Sequence, residues 1–275
     1  MNNEKLTPTG RGAALSATKE KSPTTQILGV PFFTGSIEQA VERAMEGGLV
    51  VAPSGPGLAG DLVRSDAYRE AVCTADLALT DSGFMVMLWR LFTGRAIPRH
   101  SGLKFIRAVL EKPELKQPGA IFWVMPSLED DLKNREWLIA NGFQVTEDDV
   151  YLAPRYGAGP IQDRELVQRI DARRPRIVML AIGGGVQERL GHGLRKSLAC
   201  RPGILCLGAA IAFLSGAQTA IPVWADRWRI GWLLRILSSP RRYLPRYVDA
   251  LNLVPVLWKY RERVPVSKRG LRAES

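Results

Sequence analysis

The stretch Arg176-Ile-Val-Met-Leu-Ala-Ile-Gly-Gly-Gly-Val-Gln-Glu188 sets a near-continuous apolar run in front of three glycines and the beginning of an amphipathic segment. An apolar run of this kind is typical of a strand that is buried on both faces of a parallel sheet. The glycines then mark a tight turn, and the polar residues after them begin a helix. This stretch therefore predicts one strand, loop and helix unit of an α/β fold.

The same unit recurs along most of the chain. Strands are predicted at Gln26–Val30, Leu49–Pro53, Leu77–Asp81, Ala120–Met125, Gln144–Tyr151, Arg176–Ile182 and Ile204–Ala209. Helices are predicted at Ser36–Glu46, Asp61–Ala75, Ser82–Phe92, Gly102–Glu111, Leu128–Ala140, Gln162–Arg173 and Val186–Ala199. This alternation predicts an open, mainly parallel sheet with helices on both faces and right-handed crossovers, which is a Rossmann-like arrangement.

The composition predicts one main domain with an addition at its end. The 275 residues, of which 46% are hydrophobic, suffice for one well-buried core and an appendage. Residues 1–24 are interpreted as a disordered leader, residues 25–224 as the α/β domain and residues 225–275 as a basic, aromatic, helical C-terminal appendage. No run approaches the roughly 20 apolar residues that span a bilayer, and no signal region is seen, so a cytoplasmic location is expected.

Positive charge is concentrated in that appendage. The net charge is +11, and residues 221–275 hold twelve Lys or Arg against four Asp or Glu. They also hold four of the seven tryptophans, Trp224, Trp228, Trp232 and Trp258. Tryptophan beside arginine suits an anionic membrane surface. Two alternatives stay open, which are nucleic acid as the anionic partner and a solvated tail that packs on its own domain.

Residue types that bind metals are scarce. Cys73, Cys200 and Cys206 lack Cys-x-x-Cys spacing, and the two histidines are His100 and His192. Neither a disulfide framework nor a zinc site nor a His-based triad is indicated. We expect no metal and no cofactor.

Asp81 is the candidate catalytic residue. It ends a predicted strand and precedes Ser82 and a helix, at the carboxyl edge of the sheet where ligands of such folds collect. The helix N-terminus favours an ionised carboxylate, which can accept the proton of an attacking hydroxyl as a general base. The alternative is that Asp81 only caps its own helix.

Other candidates for substrate binding follow strands at the same edge. Ser54 and Gly55 lie after one strand and Tyr156 after another. Gly183 and Gly184 expose backbone N–H groups ahead of a helix, which suits a diphosphate, although such a loop is often only a tight turn.

Two polar residues begin the helix after this loop. Gln187 and Glu188 are candidates for binding a sugar or ribose hydroxyl. The alternative for Glu188 is that its charge only complements the helix dipole.

Arginines are the candidates for contacting a departing nucleotide diphosphate, because guanidinium groups bind phosphate in a bidentate manner. Arg99 precedes a helix whose expected N-cap is Ser101. Arg235, Arg242 and Arg246 recur at spacings of seven and four, so a kinked helix would present all three on one side.

In their order along the chain, these segments resemble the WecG/TagA/CpsF family of bacterial glycosyltransferases (glycosyltransferase family 26) over about Gln26 to Tyr247. The segments that carry the resemblance are Ala75-Asp-Leu-Ala-Leu-Thr-Asp81, Pro98-Arg-His-Ser-Gly102, Gly183-Gly-Gly-Val-Gln-Glu188, Gly208-Ala-Ala-Ile-Ala-Phe213, Ser215-Gly216, Pro222, Trp224, Trp232-Leu-Leu-Arg235 and Pro240-Arg-Arg242.

The resemblance implies an inverting, metal-independent transfer of a sugar, of the N-acetylmannosamine type or another hexose, from a UDP-sugar to a polyprenyl-diphosphate-linked saccharide. The reaction would belong to cell-surface polysaccharide synthesis at the inner face of the plasma membrane. It also implies that Asp81 is the base, that Gln187 helps to bind substrate and that Arg235, Arg242 and Arg246 close on the nucleotide. Arg99 and Gly102 of the second motif join the substrate-binding set.

The chain departs from the family pattern at four points. Pro53-Ser54-Gly55 replaces the usual Thr-x-Asn, Asp81-Ser82 replaces Asp-Gly, Gly185 replaces a proline, and Gly231 replaces an acid. These changes indicate a divergent branch with a different donor or acceptor.

Two other functions share parts of this pattern, a nucleotide-binding oxidoreductase and a nucleic-acid or lipid-binding α/β module without catalysis. The glycine loop falls late in the chain rather than in the first strand-to-helix turn, which disfavours the oxidoreductase. Basic residues cluster in one tail while the sheet edge carries acid, glutamine and glycines, which disfavours the binding module. No nucleic-acid partner is therefore expected, and a homo-oligomer is compatible with the sequence.

Overall fold

The computed structural model describes residues 23–208, 210–216 and 248–265 of the chain. Its strands are β1 (Thr24–Ile27), β2 (Val30–Phe33), β3 (Gly48–Val51), β4 (Leu77–Ala78), β5 (Ile121–Met125), β6 (Val150–Leu152), β7 (Ile177–Leu180) and β8 (Gly203–Cys206). They form one sheet in the order β1-β2-β4-β3-β8-β7-β5-β6. Only the β1–β2 pair of this sheet is antiparallel, so the described residues confirm an open, mainly parallel sheet.

Helices connect these strands. The α-helices of the described residues are α1 (Ile37–Met45), α2 (Leu62–Arg64), α3 (Asp66–Cys73), α4 (Gly83–Thr93), α5 (Gly102–Leu110), α6 (Leu128–Ala140), α7 (Arg164–Arg173), α8 (Val186–Ser197), α9 (Ala210–Leu214) and α10 (Leu253–Tyr260). A π-helical turn at Gly57–Asp61 and 3-10 turns at Pro113–Lys116 and Glu147–Asp149 accompany them.

The helices cover both faces of the sheet, as the alternation predicts. Side chains of α3, α4, α7, α8 and α10 share one buried cluster with Val51 of β3. Side chains of α1, α5, α6 and α9 share the other cluster with Val50. Neighbouring strand residues point to opposite faces, so this division places α4 and α5 on opposite sides of the sheet. The Rossmann-like fold class is confirmed.

The first predicted strand is wrong. Gln26–Val30 is split into β1 and β2 by a turn at Leu28 and Gly29, whose φ angles are +53° and +78°. The continuous apolar run conceals this turn, since Ile27, Leu28 and Val30 are all fully buried.

Two other boundaries also differ from expectation. The helix predicted at Asp61–Ala75 is interrupted at Ser65, whose Oγ accepts the N–H of Tyr68 and begins a new helix. The strand predicted at Gln144–Tyr151 shortens to β6 because Asp149 accepts the N–H of Thr146 and closes a 3-10 turn.

The segment after α10 is anchored at the turn between β1 and β2. The N–H groups of Leu28 and Gly29 donate to the carbonyls of Arg261 and Glu262, at 2.6 and 2.9 Å. A Cβ atom on Gly29 would overlap the side chain of Val264. In the described ranges, no helix has the length and apolar character needed to cross a membrane. Trp224, Trp228 and Trp232 lie outside the described residues.

Candidate active site

Asp81 lies just beyond the carboxyl end of β4, where the chain leaves the sheet for α4. Ser82 is the N-cap of α4, and its Oγ accepts the N–H of Met85 at 3.2 Å. The Oδ1 atom of Asp81 instead accepts the N–H of Gly102, the first residue of α5, at 2.8 Å. The N-cap of α4 is therefore Ser82, and Asp81 accepts an N–H from a different helix.

The start of α5 differs from its expectation in the same way. Ser101 occupies the N-cap position, but its side chain makes no capping hydrogen bond. The carboxylate of Asp81 satisfies an N–H of that first turn instead, and α4 begins beside the same residue. Two helix N-termini therefore flank the half-buried carboxylate, and their partial positive charges favour its ionised form.

Arg99 and Gly102 both contact Asp81, as the resemblance implies for a common site. Arg99 Nε donates to the backbone carbonyl of Asp81 at 3.1 Å. The side chain of Arg99 also crosses Gly83, where an added Cβ would lie 3.4 Å from Nε. The guanidinium therefore lies against the first residue of α4, next to the carboxylate.

Ser54 and Gly55 belong to the loop after β3, the strand next to β4. Ser54 Oγ accepts the N–H of Gly57 at 3.3 Å. A Cβ on Gly55 would lie 3.2 Å from Ser82 Oγ and 3.8 Å from the Cβ of Ala250. This loop therefore meets both the start of α4 and the C-terminal segment before α10.

The glycine loop after β7 lies at the same edge of the sheet. Gly183 and Gly184 are exposed, and a Cβ on either would have no neighbour within 4 Å among the described residues. Gly185 adopts φ +84°, and a Cβ there would lie 3.0 Å from Asp61 Oδ2. The glycine loop therefore contacts the end of the π-helical turn that follows Ser54 and Gly55.

Gln187 and Glu188 are directed into the protein, and they are 4% and 2% exposed. Gln187 Oε1 accepts the N–H of Gly208 at 2.6 Å, and its Nε2 donates to Glu188 at 3.1 Å. The second carboxylate oxygen of Glu188 accepts the N–H of Gly185 at 2.7 Å. Together the two side chains fasten the loops after β7 and β8 to each other.

The environment of Glu188 favours its protonated form. Burial raises the pKa of Glu188 to about 7, although the hydrogen bonds from Gln187 and Gly185 lower it, and the nearby charge of Asp61 raises it further. Desolvation is the largest cause, since a buried carboxylate loses the hydration that stabilises its charge.

Tyr156 lies in the loop after β6. This strand forms one edge of the sheet, and β4 lies near the opposite edge. Its hydroxyl donates to Asp163 at 2.6 Å, and Tyr151 donates to the same oxygen at 3.0 Å. Burial, followed by this hydrogen bond, raises the pKa of Tyr156 well above its ordinary value. Asp163 also caps α7 by accepting the N–H of Leu166.

The structure thus brings Asp81, Arg99, Gly102, Ser54 and Gly55 into one contiguous group, while the glycine loop contacts Asp61 of the π-helical turn that follows Gly55. Arg235, Arg242 and Arg246 lie outside the described residues. Their predicted roles, and those of Gln187, Glu188 and Tyr156 in substrate binding, stay predictions.

Sequence reasoning missed Thr80, the residue before Asp81. Its hydroxyl makes two hydrogen bonds to the segment that precedes Gly102. A polar residue directly before the candidate base, in an otherwise apolar run, is the signal that was available.

Comparison with known proteins identifies a family over most of the chain. The family model described as "Glycosyl transferase WecG/TagA/CpsF family" matches residues 25–269. A curated protein of Bacillus spizizenii, strain ATCC 23059 / NRRL B-14472 / W23, is 24% identical over 213 residues, which cover 74% of this chain and 79% of the relative. That relative is an N-acetylglucosaminyldiphosphoundecaprenol N-acetyl-beta-D-mannosaminyltransferase.

Proposed function

Since the chain belongs to the WecG/TagA/CpsF family of glycosyltransferases, we propose that it transfers a hexose from a UDP-sugar to a polyprenyl-diphosphate-linked saccharide, with inversion at the sugar carbon. The family match supports glycosyl transfer rather than the oxidoreductase or the binding module without catalysis. The acceptor class rests on the name of the Bacillus relative, which acts on a diphosphoundecaprenol-linked sugar. Its donor sugar suggests the N-acetylmannosamine type as the first donor to test.

Asp81 is the proposed general base. As the acceptor hydroxyl oxygen forms its bond to the anomeric carbon, its proton passes to the Asp81 carboxylate and the bond from that carbon to the UDP oxygen breaks. The single observation that carries this role is the hydrogen bond from Gly102 N–H to Asp81 Oδ1. It holds the carboxylate at the carboxyl end of β4, between two helix N-termini that favour the charged form before transfer.

The departing diphosphate needs positive groups in this proposal. Gly183 and Gly184 are exposed at the N-terminus of α8, which suits phosphate oxygens. Arg99 lies next to Asp81, and Arg235, Arg242 and Arg246 of the appendage are the further candidates that the family resemblance suggests. These cations would stabilise the leaving UDP without a metal ion.

An anionic membrane surface is the proposed site of action, with the protein bound peripherally at its inner face. Support comes from one surface, the α4/α10 face, which consists of Met87, Leu91 and Trp258, the five basic residues Arg90, Arg95, Lys259, Arg261 and Arg263, and one acid, Glu262, which pairs with Arg95 at 3.1 Å. Leu91 is 72% exposed and Trp258 60%, and the rings of Phe92 and Trp258 join the two helices at 5.1 Å. Apolar side chains rimmed by cations match a bilayer that carries anionic lipid.

The direct test is a screen of UDP-sugars for UDP release, with and without a polyprenyl-diphosphate-linked N-acetylglucosamine analogue. We expect release with one donor that depends on the acceptor, and a product whose anomeric configuration is inverted when analysed by NMR. Absence of acceptor-dependent release with every UDP-sugar, or retention of configuration, would overturn the proposal.

A further inference from the structure

The segment between α4 and α5 connects helices on opposite faces of the sheet. Residues 95–101 have no regular secondary structure. They nevertheless carry the chain from one face of the sheet to the other and bring Gly102 to the carboxylate of Asp81. A segment without a helix or strand of its own needs other hydrogen bonds to fix its position.

Thr80 supplies those bonds. It is fully buried, one residue before Asp81. Its Oγ1 donates to the carbonyl of Pro98 at 2.7 Å and accepts the N–H of His100 at 3.0 Å. One hydroxyl therefore acts as donor and acceptor towards two backbone groups of the crossing segment.

Asp81 forms hydrogen bonds with the same segment. Arg99, between the two partners of Thr80, donates to the Asp81 carbonyl at 3.1 Å, and Gly102 donates to the Asp81 carboxylate at 2.8 Å. Residues 80 and 81 are thus joined to residues 98, 99, 100 and 102 by four hydrogen bonds. Removing the Thr80 hydroxyl takes away two of these four bonds and so loosens the segment that leads to Gly102.

We infer that Thr80 is a positioning residue for the general base, because its hydroxyl sets the location of the Gly102 N–H relative to the Asp81 carboxylate. The inference rests on the proposed function of Asp81. Thr80 need not touch substrate in this role. It acts on the reaction only through the orientation of the Asp81 carboxylate. A displacement of about 1 Å in a catalytic group lowers the rate by up to about 100-fold.

Two substitutions separate the hydroxyl from the volume of the side chain. Thr80→Val keeps the branched shape but leaves the buried N–H of His100 without its acceptor and removes the donor to the Pro98 carbonyl. Thr80→Ser keeps both hydrogen bonds and loses a methyl group. Thr80→Ala, which adds no apolar bulk, is measured beside them so that the conclusion does not depend on the folding of one variant.

The experiment measures acceptor-dependent UDP release by the full-length variants against pH. For Thr80→Val and Thr80→Ala we expect kcat to fall about 10- to 100-fold with little change in KM for the donor. The acid limb of the kcat/KM profile should move to higher pH, because a carboxylate that loses an N–H donor holds its proton more tightly. Thr80→Ser should retain the wild-type profile.

Two results would overturn the inference: full turnover in folded Thr80→Val or Thr80→Ala, or a loss in Thr80→Ser as large as in Thr80→Val. Thermal melting and UDP binding confirm that each variant is folded. An active Asp81→Asn enzyme would contradict the proposed function instead, so failure of the inference and failure of the function are told apart.

Discussion

The backbone N–H of Gly102 donates a 2.8 Å hydrogen bond to Oδ1 of Asp81, although the whole of α4 separates the two residues along the chain. This bond connects the carboxyl end of β4 with the first turn of α5. Asp81 therefore has two properties that can be tested separately. It accepts a backbone N–H, and its carboxylate carries a negative charge.

Asp81→Asn separates these properties, because the amide oxygen of asparagine still accepts the Gly102 N–H while the charge and the basicity are removed. We expect acceptor-dependent turnover to fall about 100- to 10,000-fold, the range for loss of a general base. The melting temperature and UDP binding should stay close to the wild-type values. UDP release, calorimetric binding and thermal melting are the measurements.

Asp171→Asn is the matched control for that variant. Asp171 also accepts backbone N–H groups, from Ala199 at 3.0 Å and Cys200 at 3.3 Å, but it does so ahead of β8 at the opposite edge of the sheet. Its turnover should equal that of the wild type. Retention of turnover by Asp81→Asn would remove Asp81 from the mechanism.

Glu188 gives a prediction about pH and stability. Its pKa is raised by burial from 4.5 to about 7, so between these values the folded protein holds a proton that the unfolded chain has released. The stabilisation is therefore complete below pH 4.5 and is lost as the pH rises through 7. The loss in the free energy of unfolding is on the order of 3 kcal/mol.

Glu188→Gln removes this titration, although the amide supplies one acceptor oxygen where the carboxylate supplied two. Chemical denaturation between pH 4.5 and 8 should show a fall in stability for the wild type that is much smaller in Glu188→Gln. Parallel pH profiles of the two proteins would contradict the assignment of the titration to Glu188.

Substitution of Gly29 tests how residues 248–265 are anchored to the rest of the protein. A Cβ at this position would overlap Val264, and the φ of +78° is costly for alanine in itself. Gly94 has a similar φ of +72° with no neighbour within 4 Å of an added Cβ in the described part of the chain. Gly94→Ala should therefore cost only the backbone term of about 1–2 kcal/mol.

Gly29→Ala should cost clearly more, and the difference from Gly94→Ala reports the contact with Val264. Hydrogen exchange should become faster in residues 248–265 in Gly29→Ala alone. Equal destabilisation of the two variants, with unchanged exchange in both, would show that the contact does not hold the segment.

Local patterns predicted the fold because each strand and helix carries its own periodicity. The apolar runs that became β5, β7 and β8 and the amphipathic segments of α5 and α8 needed no long-range information. The β1–β2 turn was missed for the opposite reason. This turn contacts Arg261, Glu262 and Val264, which lie more than 230 residues later in the chain. A pattern of neighbouring residues therefore contains no sign of it.

The candidate site was predictable as a set of residues and not as a geometry. Asp81 was identified from its position at a strand end, but nothing in the sequence indicated that it accepts an N–H from the first residue of α5. Gln187 and Glu188 were expected to face substrate, and their burial follows from Gly208 and Gly185, which approach from two other loops. Pairings between distant segments depend on the assembled sheet, so spacing alone does not reveal them.

The α4/α10 face gives the last prediction, and a second exposed apolar helix provides its control. Leu91 of α4 is 72% exposed on a face with five basic residues and one acid, whereas Leu132 of α6 is 57% exposed on a helix whose partly or fully exposed acids Glu129, Asp130 and Glu136 outnumber its basic residues Lys133 and Arg135. Only the first surface has the charge that suits anionic lipid. Leu91→Glu should weaken binding to phosphatidylglycerol-containing vesicles about 10- to 100-fold, since it removes a leucine worth about 1.5–3 kcal/mol and adds repulsion.

Leu132→Glu should leave the partition unchanged, because α6 does not face the bilayer in this arrangement. Vesicle co-sedimentation at low and high salt measures both variants, and binding of the wild type should weaken as salt screens the arginines over about 10 Å. Both proteins should release UDP equally with a water-soluble acceptor analogue, because neither leucine lies at Asp81. Equal loss of vesicle binding in the two variants would mean that apolar exposure alone, without the basic rim, determines membrane association.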